Sequence, residues 1–277
     1  MIKAIKLSFL LTLLIHGAGQ AQVVDTLIDV GSHQLHFRIL AGEGTPILFE
    51  AGNGDDGSVW EPILNSIHEE TGATLITYDR AGLGSSGIDT NKVSFVGEAR
   101  NLKKALRQLG YRKDYFLVAH SFGSFYASEF ARRNKGKITG AAFIDVATPC
   151  GFSVEYASRV NSTISDENWA LIKEYKRGLY YVLQELPEIA AYMSQRFISN
   201  GIPLTVIAAE IRKPTAAIGE TEQDMINMAN CLEAFGNLPD HKYVLAPDAE
   251  HKVWQQRPEI VIQEIVELYY RTSRLNR

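Results

Sequence analysis

Four short, almost wholly apolar segments recur along the chain, at residues 74–78, 115–119, 138–146 and 204–209. A strand that is apolar on both faces must be covered on both faces. That is the mark of a parallel sheet packed between layers of helices. Further strands fit the same sheet: residues 23–30 and 35–40 as a hairpin turning at Gly31-Ser32, then 46–50, then 243–246. Helices are expected over 95–109, which stops at Gly110, over 122–134, and over 260–270. No repeat, linker or low-complexity run divides these elements, so a single α/β domain is expected.

The segment before the first strand reads as an address. Lys3 and Lys6 precede an apolar run at 7–15, and small residues including Gly19 and Ala21 follow. This is the layout of a secretory signal peptide cleaved after Ala21, and the run is too short to cross about 30 Å of hydrocarbon. The expected parts are therefore a signal peptide at 1–21 and a domain at 22–277, secreted or periplasmic, with no stable membrane insertion after cleavage. Cleavage takes away two lysines and moves the net charge from −4 to −6. In an oxidising compartment Cys150 and Cys231 either pair or stay as two buried thiols; the sequence leaves both open.

Hydrophobic residues at 45% and charged residues at 22% exclude a disordered or fibrous chain. The acidic balance gives no reason to expect a nucleic-acid partner. Two cysteines without a neighbouring histidine cluster offer no zinc site, so neither metal nor cofactor is expected. Gly82-Leu83-Gly84-Ser85-Ser86-Gly87 matches the spacing of a dinucleotide-binding loop. Its helix would have to begin inside the motif, yet helical spacing resumes only near Ser94, so a turn of positive-φ glycines is expected instead.

Ala119-His120-Ser121-Phe122-Gly123 lies between an apolar strand and a helix. It reads as a nucleophile elbow, in which small residues at 119 and 123 let Ser121 project above the sheet. A serine hydroxyl needs a base. His120 is expected to point into the core, and His33, His36 and His68 precede the elbow. His251 follows the last strand, at the sheet edge where sites form, and is the expected general base. If so, activity falls as pH drops below roughly 6–7. Asp145 and Glu210 each close an apolar strand, and either could orient the imidazole. The expected oxyanion donors are the backbone N–H groups of Phe122 and of Asn53, in the loop after the third strand.

Four landmarks stand in one order: residues 50–54, the stretch Asp79 to Gly87, the elbow at Ser121, and His251 followed by Gln256-Arg257-Pro258. Together they resemble the α/β-hydrolase superfamily over residues 23–272. The resemblance implies a mostly parallel eight-stranded sheet with helices on both faces and a helical cap at about 147–200. Many relatives take their acid from a turn after the seventh strand, where this chain has Arg212 in the aspartate's place. Another branch takes it from the end of the sixth strand, which favours Asp145 over Glu210. Dehalogenases and epoxide hydrolases of this fold use an aspartate at the elbow, so Ser121 implies acyl transfer.

The cap stretch holds eight aromatic residues, among them Phe152, Tyr156 and Trp169, which suit an apolar pocket or simply pack the cap. The expected function is hydrolysis of a small-molecule carboxylic ester through an acyl-enzyme on Ser121, His251 and Asp145. The alternatives are an amidase, peptidase or acyltransferase on the same residues, and a non-catalytic ligand-binding protein of the same fold.

Overall fold

The computed structural model describes residues 23–198 and 201–275, so the expected signal peptide lies outside the described residues. Eight strands form one sheet: β1 Val23–Asp29, β2 Gln34–Leu40, β3 Glu43–Glu50, β4 Ala73–Tyr78, β5 Tyr115–His120, β6 Ile138–Ile144, β7 Leu204–Ala209 and β8 His241–Ala246. Their order is β1-β2-β4-β3-β5-β6-β7-β8. β2 alone is reversed: its pairs with β1 and β4 are antiparallel and every other pair is parallel. Every residue of β4, β5 and β7 is buried, as two-sided apolar strands require. β3 begins earlier than its apolar run, and its register with β4 slips between Glu43 and Ile47. Pro46 sits inside that slip and has no N–H to give a regular ladder.

Helices α1 Glu61–Thr71, α2 Phe95–Gln108 and α3 Gly123–Arg133 alternate with the first strands. Four more follow β6: α4 Val154–Thr163, α5 Asp166–Tyr175, α6 Arg177–Gln184 and α7 Leu186–Met193. The chain ends with α8 Glu222–Gly236, α9 Val253–Gln256 and α10 Pro258–Leu275. One core cluster joins a sheet face to α2, α3 and α8 through Leu102, Leu106, Phe130 and Leu232. The opposite face packs on α1 and α10 through Ile63, Ile67, Ile265 and Leu268. A third cluster joins α4, α6 and α7 to Phe122, Phe125 and Tyr126 of the elbow region, so the expected cap is a helical layer seated on the sheet's carboxyl edge.

Three helices, α1, α8 and the four-residue α9, have no counterpart in the sequence reading, although α1 and α8 carry local signals. α1 starts with Pro62 in its first turn and ends at Gly72 in the left-handed conformation. α8 opens with a capping box between Thr221 and Asp224. Cys150, just before α4, is disulfide-bonded to Cys231 on α8, with Cα atoms 5.6 Å apart. The bond closes a long loop and pins the start of the cap to the sheet's outer helix.

The glycine motif is a joint between loops. Gly82 and Gly84 have φ of 72° and 49°. The Gly178 N–H at the start of α6 donates to the Gly82 carbonyl at 3.0 Å, and a Cβ at Gly178 would collide with the Ala81 carbonyl. The motif is glycine-rich because two backbones touch there; α2 begins only after its cap residue Ser94.

Candidate active site

β5 ends at His120 and α3 begins at Gly123, so the turn falls to Ser121 and Phe122, and Ser121 takes its strained step. It does so at φ 53°, a left-handed conformation that costs a non-glycine residue on the order of 1–3 kcal/mol. Tight packing around it holds the strain. The Ser121 N–H donates to Ile144 O at 3.2 Å, and its carbonyl accepts from the Ala147 N–H at 3.1 Å. Gly123 has no room for a side chain, since a Cβ would strike the Ala51 and Glu50 carbonyls. The helix N-terminus is thereby pressed against the end of β3, with Ser121 raised above both.

His251 lies in the loop after β8. Its Nδ1–H donates to Asp145 Oδ2 at 2.6 Å, and its Nε2 accepts from the Ser121 hydroxyl at 2.9 Å. The three residues are separated by 24 and 106 positions in sequence, and only the parallel sheet brings them together. Asp145 is buried at 3% exposure and has φ 43°. Its other oxygen accepts from the Ala209 N–H at 3.0 Å and from the Arg212 guanidinium. A buried carboxylate must be paired, and this one is paired on both oxygens. Glu210, the alternative acid, is turned away: it is exposed and accepts from the Asp248 N–H at 2.8 Å. The structure therefore corrects that alternative. At the end of β7 the side chain that reaches the histidine's partner is Arg212, two residues on, with the opposite charge.

The loop after β3 is held from below by Arg80. This guanidinium is buried, pairs with Glu50 at 2.7 Å, donates to Ala51 O at 2.7 Å, and also donates to Gly52 O. In a trans peptide the C=O and N–H point in opposite directions. Tying the Gly52 carbonyl down to Arg80 turns the Asn53 N–H to the other side, where Asn53 borders a cavity with Ser121 and Phe122. Beneath the loop, burial is the largest influence on Glu98 and pushes its carboxyl up to about 8, against an opposing pull from Arg80.

His120 is buried, with its ring 4.7 Å from that of Trp254. Its position bears on the site although its side chain does not face Ser121. Its Nε2–H donates to the His251 carbonyl at 3.0 Å, which leaves Nδ1 as a bare acceptor 2.7 Å from where a Gly52 Cβ would sit. Burial first, then the neighbouring His251 and Lys252, holds its pKa well below the ordinary histidine value, so the ring stays neutral. His120 lies in the core as the sequence implies, whereas no site role for Arg80 or Arg212 was read from the sequence. Arg212 left a trace there, as the residue standing where relatives carry an acid.

The cavity above Ser121 has a volume of about 720 Å³. Its inner wall is apolar, with Phe152, Tyr156, Val160, Leu183 and Leu186 from the cap and Met225 from α8. Charged side chains gather near His251, and they are mutually paired: Lys213 with Glu250 at 2.6 Å, and Lys252 with Asp55 at 3.0 Å. Among the described residues no group of three metal-ligating side chains could hold a metal ion.

The sequence matches the model of the alpha/beta hydrolase family over residues 13–264. It is 26% identical over 227 residues to the uncharacterized protein YqjL of Bacillus subtilis (strain 168), covering 82% of this chain and 84% of YqjL. The fold is similar to that of a thermophilic esterase from Thermogutta terrifontis, with TM-score 0.60 and 22% identity over 91% of this chain and 100% of that one. It is also similar to the haloalkane dehalogenase DatA from Agrobacterium tumefaciens C58, with TM-score 0.65 and 15% identity over 92% and 98% of the two chains. At such identities the likeness to these solved structures is one of fold.

Proposed function

The chain belongs to the alpha/beta hydrolase family, and from that premise we propose that it is a serine hydrolase cleaving carboxylic esters of small molecules. The observation that carries this reading is His251 standing between Ser121 Oγ at 2.9 Å and Asp145 Oδ2 at 2.6 Å. Ser121 Oγ attacks the ester carbonyl while His251 Nε2 takes its proton. The carbonyl π electrons move to oxygen, and that oxyanion is received by the N–H groups of Phe122 and Asn53. Asp145 keeps the Nδ1–H tautomer and stabilises the imidazolium. His251 then returns the proton to the leaving alkoxide, and water repeats the sequence to release the acid.

A serine at the elbow, rather than an aspartate, favours acyl transfer over the halide displacement performed by the dehalogenase of similar fold. The apolar cap wall favours an aliphatic or aromatic acyl group. Export is proposed with it: the leader pattern and the Cys150–Cys231 disulfide both suit an oxidising compartment.

The test is labelling by a fluorophosphonate together with turnover of p-nitrophenyl esters, on the wild type and on Ser121→Ala. Labelling should vanish in the variant and turnover should fall by about 10⁴-fold or more. A folded wild type that takes no label and turns over no ester would refute the reading. Matched ester and amide substrates would then separate esterase from amidase.

A further inference from the structure

Ten of the chain's 28 lysines and arginines fall between residues 100 and 137, where only two of its 32 acids stand, Asp114 and Glu129. That stretch therefore carries +8, and the rest of the chain −12, behind a net charge of −4. The fold gathers much of this charge into one place. Arg100, Lys103, Lys104 and Arg107 recur at helical spacing on α2 and share an open groove with Arg112 and Arg133. Of these six, Arg133 pairs with a carboxylate, Glu129, at 2.6 Å. Among the described residues the other five make no ion pair. Lys103 and Lys104 instead donate to backbone carbonyls, of Arg133 and Val30. Partial burial, and then Arg107, Lys137 and Arg133, hold the Lys103 ammonium below its ordinary range.

The groove sits at the opposite edge of the sheet from Ser121. Of its lining, Arg112 precedes β5 and Arg133 ends α3 ahead of β6; Ser121 and Asp145 follow the same two strands. A six-residue strand separates the two ends by about 20 Å. The groove's lining has no aromatic side chain on which a base could stack. Most of it is long, exposed and flexible, which recognises charge density rather than the shape of one small anion.

We infer that this basic face docks the protein peripherally on an anionic phospholipid membrane, with the hydrolase cavity facing away from the surface. Such a leaflet offers many phosphates in one plane and attracts cations without fixed geometry. The rest of the chain, at −12 with the leader and −14 once residues 1–21 are cleaved, is repelled by the same leaflet, so the charge asymmetry also sets the orientation. Export, proposed above, brings the protein to such surfaces. Its substrate then comes from solution, over the far edge.

The experiment is co-sedimentation of the full chain with vesicles of phosphatidylcholine alone and of phosphatidylcholine with about one third phosphatidylglycerol. Binding is expected to the second alone and to disappear in about 0.5 M salt. The three exposed cations changed in Arg100→Gln/Lys104→Gln/Arg107→Gln should weaken it by about fivefold each, roughly 100-fold together. Unchanged melting and unchanged turnover of a soluble ester would confirm that the variant is folded. The inference is overturned by equal binding to neutral vesicles, by no binding to the anionic ones at low salt, or by a triple variant that binds like wild type. Capture of inorganic polyphosphate or duplex DNA without capture of vesicles also overturns it, and would assign the groove to a soluble polyanion. None of these readouts depends on the hydrolase reading.

Discussion

Strands β5 and β6 carry charge at both ends, and the two ends treat it in opposite ways. At the carboxyl end the charged groups that hold the site together are buried and individually partnered: Asp145 meets His251, Arg212 and the Ala209 N–H, while Arg80 meets Glu50 and two carbonyls of the loop after β3. At the amino end they are many, mostly exposed and predominantly positive, with Asp114 and Glu129 the two acids among them. The difference follows from the dielectric. In the interior a bare charge costs several kcal/mol, so each must have its partner and each partner fixes a geometry. In water a cation needs no partner, and a crowd of them acts at the range of a Debye length.

If the carboxyl end works by individual geometry, single substitutions there should be severe. Asp145→Asn preserves the shape, and asparagine tolerates the φ of 43°. It removes the charge opposite the imidazolium and should lower kcat by about 10⁴-fold, checked by steady-state ester hydrolysis. A loss under tenfold would mean that Asp145 is not the orienting acid. Arg212→Gln removes the charged partner of the second carboxylate oxygen, leaving it the Ala209 N–H, without touching the histidine contact. It should lower kcat by about tenfold to 100-fold with little change in KM. A change in KM alone would move Arg212 from positioning Asp145 to binding substrate.

Glu98 sharpens the comparison from the stability side, because it is a buried acid whose position is resolved by neutralisation. Its carboxyl, pushed up to about 8, keeps its proton in the folded chain where the unfolded chain has lost it. Folding stability should therefore fall as pH rises from the ordinary glutamate range towards 8, and level off above it. Glu98→Gln should flatten that slope and raise stability at pH 9 by about 2 kcal/mol, read from urea unfolding at a series of pH values. A slope that persists in the variant would place the titration elsewhere, for example on Glu50, which burial also pushes up. The groove's own variants stand at the small end: neutralising its exposed cations should leave soluble-ester turnover unchanged within about twofold.

How far the sequence could be read differs by kind of signal. The buried strands were legible because two-sided burial leaves no polar alternation, and β4, β5 and β7 are buried throughout. The elbow was legible because its requirements are local: a strand, one strained residue, then a glycine with no room for a Cβ. α1 and α8 were passed over although their caps are local too, because few of their positions are buried and their apolar spacing is thin.

Taken alone, the sequence determined the layered parallel sheet, the turn at Ser121 and the set of residues able to serve it. Hydrophobic period and turn sterics act within a few residues of one another, so they are written in adjacent letters. The tertiary structure decided which acid faces His251, that Arg212 takes Asp145's other oxygen, and that Arg80 ties down the Gly52 carbonyl before Asn53. Those choices rest on side chains meeting across strands that pair side by side but lie far apart in the chain. Burial then decides them, because a charge placed there must find its opposite or lose its charge.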